Sequence, residues 1–120
     1  MFILSDQPSI ANQFLAELRD IHTQQDRMRF RKNLERLGEL LAYEVSKTLT
    51  FQSTEVQTPL GSAQMELPVD QVVLVAVLRA ALPFYQGFLN SFDQAESGFI
   101  GAFRQEDGAE IGVNLGYHAS

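Results

Sequence analysis

The clearest hydrophobic pattern in the chain is an unbroken apolar run from Val72 to Leu78. The run is rich in β-branched residues and too short for a typical helix, so it predicts a β-strand. Because no polar residue alternates with the apolar ones, we expect this strand to be covered on both faces, as in a parallel sheet. Pro83 suits the first turn of a following helix, and Gly98 to Phe103 predicts a second strand.

Two amphipathic helices are predicted before this unit. Ser9 suits the N-cap of the first helix, and Asp26 suits the N-cap of a second helix of about six turns. A stripe facing the core is the simplest interpretation of their apolar spacing, since a coiled coil would need a longer repeat. The apolar positions are Phe14, Leu15, Leu18 and Ile21 in the first helix, and Phe30, Leu34, Leu37, Leu41 and Val45 in the second.

Two β-hairpins are predicted from alternating segments. Phe51 to Gln57 and Ala63 to Leu67 flank the turn signal Pro59-Leu60-Gly61. An isolated hairpin is marginal in water, so this arm should pack either on its own domain or on another subunit. Near the end of the chain, the polar turn at 105–108 precedes a further alternating segment from Ile111 to Tyr117, which indicates a second hairpin.

Composition and charge exclude several function classes. A chain of 120 residues with 45% hydrophobic and 20% charged residues is typical of one soluble globular domain. Nine basic and fifteen acidic side chains give a net charge of −6, which argues against broad binding of nucleic acid or of an anionic membrane. The absence of cysteine, of a long apolar span and of a signal-peptide pattern predicts a cytoplasmic protein without disulfides.

Two arginines are the main candidates for ligand chemistry. Arg79 and Arg104 each follow a predicted strand, and ligands of open α/β sheets bind beyond the carboxyl ends of the strands. A guanidinium beside the N–H groups of a helix start attracts anions. Strand-end arginines are more often solvated or paired with a carboxylate, so the pattern alone leaves both interpretations open. If the two strands are neighbours, the two arginines predict one polyanionic ligand.

The same segments resemble the uracil phosphoribosyltransferases. LRAALPFYQGFLNSFDQAESGFIGAFR is similar to that family's LRAGLPF, GFL and FIxxYR motifs, DRMRFRKNLERLGELLAYEVSKTL to its long first helix, and EVQTPLGSAQMELP to its hairpin arm. The resemblance extends over nearly the whole chain. It implies a single domain with a helical region at 1–50, the arm at 51–67, and at 68–120 the start of an α/β core with a flexible hairpin. The implied fold is a phosphoribosyltransferase-like parallel sheet core, preceded by two helices and the arm.

The resemblance also implies an activity and a binding loop. The family reaction in pyrimidine salvage converts uracil and phosphoribosyl pyrophosphate to uridine monophosphate and pyrophosphate. By this resemblance Arg79, Ala80 and Ala81 form the diphosphate-binding loop, Arg104 makes a further phosphate contact, and Mg²⁺ arrives with the diphosphate rather than in a protein metal site. Subunits would associate as a dimer or larger homo-oligomer through the arm. Ala81 stands where the family usually has glycine. A left-handed turn would disfavour alanine at this position, whereas a right-handed turn would accept it.

Two segments of the family are missing from these residues. The phosphoribosyl-pyrophosphate motif of the form DPMLATG and the later base-recognition segment do not occur. The chain is therefore expected to correspond to the first half, or slightly more, of such an enzyme and to be inactive alone. The alternative is a non-catalytic ligand-binding or dimerisation module derived from the same fold.

The second helix carries a basic cluster whose role the sequence leaves open. Its simplest interpretation is a solvated face with intrahelical pairs, such as Lys32 with Glu35 or Glu39. The alternative is an anion or effector site at a subunit boundary. The cluster consists of Arg27, Arg29, Arg31 and Arg36.

Overall fold

The computed structural model describes residues 1–104 and 111–119, and of residues 102–104 and 111–119 it describes the backbone alone. Within these ranges the predicted order of helices and strands is confirmed. The elements are α1 (Ile10–Arg19), α2 (Arg27–Ser46), β1 (Phe51–Thr58), β2 (Gly61–Pro68), β3 (Val73–Leu78), α3 (Leu82–Ser91), β4 (Glu96–Arg104) and β5 (Ile111–Ala119).

Local hydrogen bonds explain where the first two helices begin. The Ser9 side chain accepts a bond from the Ala11 N–H at 3.1 Å, and the Asp26 carboxylate accepts one from the Arg29 N–H at 3.0 Å. Both predicted N-caps are thus confirmed, and each satisfies an N–H that has no partner inside its helix. The prediction for Ile21 was wrong, because α1 ends at Arg19 and the Ile21 side chain is 72% exposed.

The buried face of α2 is narrower and less apolar than its leucine spacing predicted. Leu37 and Ala42 are buried, but so is Asn33, at 1% exposure. Phe30 and Val45 at the ends of the predicted stripe are 36% and 44% exposed. The difference arises because α3 covers the part of α2 around Gly38 rather than the leucine stripe.

Gly38 of α2 and Gly87 of α3 allow a close crossing of the two helices. A methyl group on Gly87 of α3 would overlap the Glu35 carbonyl oxygen, and one on Gly38 of α2 would overlap the Phe84 carbonyl oxygen. Side chains reinforce the crossing, since the Asn90 amide donates to both the Glu35 and Glu39 carboxylates at 2.9 Å. The two backbones therefore approach to a separation that only residues without a Cβ permit.

The central sheet has the strand order β3-β4-β5. β3 and β4 are parallel, with Leu78 opposite Gly101, and α3 connects them. β5 is antiparallel to β4, with Ile111 opposite Arg104. The expected α/β fold class is present, although its parallel part consists of a single strand pair within the described residues. The pairing of β5 with β4 also confirms the second predicted hairpin, whose connecting residues 105–110 lie outside the described ones.

The expectation that β3 is covered on both faces was wrong. Ala76 is 2% exposed on one face, where α3 lies. On the other face Val73, Val75 and Val77 are 53%, 59% and 48% exposed. Burial of both faces would require a helix or a sheet on each side of β3. Among the described elements, α3 covers one face and none covers the other.

The first predicted hairpin forms an arm that stands apart from the rest of the molecule. β1 and β2 pair along their whole length around the two-residue turn Pro59-Leu60, and Gly61 takes a φ of 131° after it. Leu60 at the tip is fully exposed, and neither strand packs extensively on another described element. At its base, the Asp70 carboxylate accepts a bond from the Thr50 N–H at 2.9 Å. The arm does not fold back on the described domain.

Candidate functional site

The candidate site begins where β3 ends. The strand stops at Leu78, a cis peptide bond leads into Arg79, and α3 starts at Leu82 with Pro83 in its first turn. Arg79 and Ala80 are exposed. The predicted placement of Arg79 between the carboxyl end of a strand and the start of a helix is therefore what the structure shows, which is the usual position of ligand-binding loops in open α/β sheets.

Ala81 adopts a right-handed conformation, with φ −79° and ψ −8°. An L-amino acid occupies this region without steric cost, so the loop does not need glycine here. The question that the sequence left open for Ala81 is thus answered for the backbone. Ala81 also lines a mainly apolar cleft of about 210 Å³, together with Phe84 and Leu74.

Hydrogen bonds within the loop at 79–82 determine which of its backbone N–H groups can still bind an anion. The Ala81 N–H donates to the Val77 carbonyl at 3.3 Å, and the Leu82 N–H donates to the Arg79 carbonyl at 3.1 Å. Pro83 has no N–H to offer. Among the described residues, the amides of Arg79 and Ala80 have no such turn partner, and together with the Arg79 guanidinium they offer an anionic ligand donors and no acceptors.

Strand register brings the second arginine to the same end of the sheet. Leu78 lies opposite Gly101, so Arg104 follows three residues beyond that pair and Arg79 one residue beyond it. At about 3.3 Å per residue, Arg104 lies roughly 7 Å further along the strand direction than Arg79. The backbone therefore supports the predicted proximity of the two positions, while the side chain of Arg104 lies outside the described residues.

Contacts that the sequence did not reveal hold α3, and with it the loop, against the sheet. The Tyr85 hydroxyl and the Ser97 hydroxyl of β4 form a hydrogen bond of 2.5 Å, and Ser97 is among the buried polar residues. The Tyr85 ring also packs edge-to-face on Phe99, with the ring centroids 5.4 Å apart. A tyrosine on a helix and a serine on a strand carry no pairing signal in sequence, because twelve residues separate them.

The surroundings of Arg79 favour an anion over a metal ion. Among the described side chains, none of the salt-bridged carboxylates pairs with Arg79. Asp93 and Glu96 lie near the amino-terminal end of β4, at the opposite end of the parallel strand pair. No described cluster of three acidic or histidine side chains is arranged to hold a metal ion. The described part of the loop therefore offers hydrogen-bond donors and a positive charge, which suit an anion.

The basic cluster of α2 divides into paired and unpaired arginines. Arg29 forms a bidentate pair with Glu17 of α1, at 2.6 and 2.8 Å, and Arg36 donates to Asn33 and lies over the Phe14 ring. The predicted pair of Lys32 with Glu35 is present at 3.9 Å. The two remaining arginines, Arg27 and Arg31, line a shallow cleft of about 400 Å³ with Gln24 and Phe30.

The ion pair between Glu17 of α1 and Arg29 of α2 also lowers the pKa of the Glu17 carboxyl group. Hydrogen bonds from Arg29, then Gln13 and Asn33, lower the pKa of Glu17 from 4.5 to about 2. The Glu17 side chain is 12% exposed, so these donors replace much of the water around the carboxylate. The sequence predicted either a solvated face with pairs inside α2 or an anion site, and it did not reveal this contact, because a partner on another helix has no fixed spacing.

Comparisons with known proteins agree with the resemblance in sequence. The profile of the family described as uracil phosphoribosyltransferase matches residues 4–115. A uracil phosphoribosyltransferase from Porphyromonas gingivalis is 48% identical over 98% of this chain and 55% of its own length. One from Pyrobaculum islandicum is 41% identical over 89% of this chain and 51% of its own length.

A solved structure is similar as well. The AQ2163 protein from Aquifex aeolicus aligns with a TM-score of 0.77 and 28% sequence identity, over 99% of this chain and 56% of that one. The chain spans about half the length of the curated relatives it matches. None of the helices in the described ranges combines the length and the hydropathy of a bilayer span.

Proposed function

The chain belongs to the uracil phosphoribosyltransferase family, and from this premise we propose that it provides the diphosphate-binding part of an enzyme that joins uracil to the ribose of phosphoribosyl pyrophosphate. The products are uridine monophosphate and pyrophosphate. The observation that carries the proposal is the position of Arg79, exposed at the end of β3 and followed directly by the start of α3. Arg104 ends the neighbouring parallel strand at the same side of the sheet.

The proposed role of the loop follows from where charge develops in this reaction. A bond forms between N1 of uracil and C1 of the ribose, the bond from C1 to the diphosphate oxygen breaks, and N1 releases its proton to the solvent. Negative charge accumulates on the departing diphosphate, so fixed donors around it lower the barrier. Arg79 would supply its guanidinium and amide, Ala80 its amide, Ala81 the turn that aims them, and Arg104 a further phosphate contact.

Mg²⁺ would neutralise part of the diphosphate charge when it is bound. The described residues near the loop offer hydrogen-bond donors and no carboxylate cluster. Mg²⁺ commonly keeps several waters and binds through the phosphates of a substrate. We therefore assign the metal to the substrate complex, and the residues of this chain to the diphosphate oxygens that the metal leaves free.

The oligomer is part of the same proposal. The arm of β1 and β2 exposes Phe51, Leu60 and Met65 at 42%, 101% and 50%. Since an isolated two-stranded hairpin is marginal in water, contact with a second subunit would stabilise it. We propose that the arm contributes to a dimer or larger homo-oligomer.

The diphosphate site can be tested by calorimetric titration with pyrophosphate and Mg²⁺. Each charge-assisted hydrogen bond that Arg79→Ala removes is worth about 1.5–3 kcal/mol, so affinity should fall roughly ten- to hundred-fold. Arg31→Ala is the matched control, because Arg31 is an exposed arginine in the α2 cleft. Equal affinity of parent and Arg79→Ala would rule out the assigned role, and a loss confined to Arg31→Ala would move the anion site to α2.

A further inference from the structure

The start of α3 has no side chain that caps it. Ser9 and Asp26 accept hydrogen bonds from the first N–H groups of α1 and α2, whereas Ala81, at the same position before α3, offers no side-chain acceptor. The candidate loop at 79–81 therefore enters its helix without the local contact that fixes the first two helices. Its position must depend on contacts that are made further along α3.

Tyr85 joins this loop to the sheet through its backbone and its side chain. The Tyr85 N–H donates to the Ala81 carbonyl at 2.8 Å, which is the bond that opens α3. The Tyr85 hydroxyl lies 2.5 Å from the Ser97 hydroxyl of β4, and one of the two donates to the other. A single residue thus holds the end of the loop on one side and β4 on the other.

The hydroxyl pair lies in a packed layer between α3 and the sheet. Ser97 and Phe99 point to the same face of β4, because side chains alternate along a strand. Phe99 contacts the Tyr85 ring edge-to-face and is paired with Ala76 of β3, which is buried under α3. Ser97 is buried as well, and a buried hydroxyl is costly without a partner. The pair therefore favours one position of α3 on β4.

β4 also carries the second arginine of the candidate site. Ser97 and Arg104 belong to this one strand, whereas Arg79 directly follows β3. A bond between α3 and Ser97 therefore fixes the loop relative to the strand that ends at Arg104, and not to β3 alone. Among the described side-chain hydrogen bonds of α3, the one from Tyr85 lies nearest to the loop, since the others come from later residues of the helix.

Given the proposed function of the loop, we propose that Tyr85 is a positioning residue for diphosphate binding. Through Ser97 it sets the separation of Arg79 and Arg104, so that both arginines contact one diphosphate. Donors that are already in place bind a developing charge without reorganisation, and this advantage is lost when the loop shifts. Tyr85 acts through the loop and through β4, whereas the arginines act on the ligand.

Titration of Tyr85→Phe with pyrophosphate and Mg²⁺ measures this role. The variant loses the hydroxyl but keeps the ring that packs on Phe99, so it should fold. Its affinity should fall about two- to tenfold, the range that one neutral hydrogen bond supports. Tyr43→Phe is the matched control, because it removes the same group from a tyrosine of α2 that is 63% exposed, and it should bind like the parent.

The double variant Tyr85→Phe/Ser97→Ala separates positioning from stability. Tyr85→Phe leaves the buried Ser97 hydroxyl without its partner, whereas removal of both partners is close to neutral for stability. The midpoint of urea unfolding should therefore recover towards that of the parent. The affinity for pyrophosphate should stay as low as in Tyr85→Phe, because the link to β4 is still absent. Recovery of both quantities would show that the pair serves stability alone and would overturn the proposal.

Hydrogen exchange adds a readout that needs no ligand. The Ala81 and Leu82 N–H groups donate to carbonyl oxygens at the end of β3 and in the loop. Without the link to β4 this turn should open more often, so both amides should exchange faster in Tyr85→Phe than in the parent and in Tyr43→Phe. Exchange at the rate of the parent would contradict the positioning role.

Arg79→Ala, titrated alongside, distinguishes the role of Tyr85 from that of the loop. If Arg79→Ala lowers the affinity and Tyr85→Phe does not, the loop keeps its function and the positioning role of Tyr85 is refuted. If Arg79→Ala binds pyrophosphate like the parent, the diphosphate loop itself is refuted, and the role of Tyr85 is refuted with it.

Discussion

Individual residues in this chain owe their roles to partners that lie far along the sequence. Asn33 is polar and 1% exposed, and it is tolerated because its amide donates to Glu17 and its oxygen accepts from Arg36. A buried amide without such partners would be costly. Arg79 shows the opposite case, since it is exposed and unpaired among the described salt bridges. A paired residue indicates a structural role, whereas a strand-end arginine without a partner among the described residues is accessible to a ligand.

We expect the Glu17 carboxylate to make stability depend on acid pH. Its pKa of about 2 in the folded chain lies below 4.5, so its contribution is complete above about pH 4.5 and is lost as pH falls through about 2. Urea unfolding of the parent and of Glu17→Gln should show a difference in stability that narrows over this interval. Glu44→Gln, which removes an exposed pair with Lys47 at the C-cap of α2, is the control and should show little difference. A gap between the parent and Glu17→Gln that stays constant down to pH 2 would contradict the assignment.

At the scale of elements, the contact between α2 and α3 holds the loop in place. α3 carries the candidate loop at its start, contacts β4 through Tyr85 and crosses α2 at Gly87. A shift of α3 would move Arg79 relative to the sheet. The crossing and the site are therefore coupled, although they lie on different surfaces of the helix.

Adding a methyl group at the crossing should destabilise the chain. Alanine favours helices over glycine by about 1 kcal/mol, but at Gly87 it would lie only 2.7 Å from the Glu39 nitrogen and overlap the Glu35 oxygen. Overpacking of this kind typically costs about 1–3 kcal/mol, so thermal unfolding of Gly87→Ala should begin at lower temperature. Gly61→Ala is the comparison, since open space surrounds that position and only its φ of 131° opposes the change. A Gly87→Ala protein as stable as the parent would show that the helices can separate at no cost.

Removing the arm should lower the oligomeric state. Deleting residues 52–65 takes away the exposed side chains of Leu60 and Met65 but leaves the helices, and Asp70 at the base, in place. Analytical ultracentrifugation should then show a smaller species, with the helical circular dichroism unchanged. If the folded deletion variant sediments like the parent, the arm makes no intersubunit contact.

The whole molecule is extended rather than compact. Its radius of gyration is 18.2 Å and its dimensions are 64 × 35 × 29 Å, whereas a compact chain of this length has a radius of roughly 14 Å. The projecting arm and the single sheet layer account for this shape. Both features expose apolar side chains, among them Leu60 at the arm tip and Val75 of β3.

We predict that these 120 residues alone make no uridine monophosphate. Two arginines can hold a diphosphate, but the reaction also requires the ribose and its 5′-phosphate to be fixed beside the base. Positioning of this kind supplies roughly 7–11 kcal/mol of a barrier. Labelled uracil should stay unconverted with the chain alone and be converted when the second half of the Porphyromonas gingivalis relative is added. Turnover by the chain alone, with any longer contaminant excluded by mass, would show that its own residues suffice.

The local sequence determined the elements of this protein, and only the tertiary structure decided how they meet. Ser9 and Asp26 cap helices, and the alternation around Pro59-Leu60 makes a hairpin, because each signal acts on backbone groups a few residues away. The motif around Arg79 likewise fixed a strand, a turn and a helix. By contrast, the pairing of Glu17 with Arg29, the glycine crossing and the open valine face depend on segments whose separation no local pattern encodes. Whether an apolar strand is covered is decided by the layers that reach it, not by the strand itself.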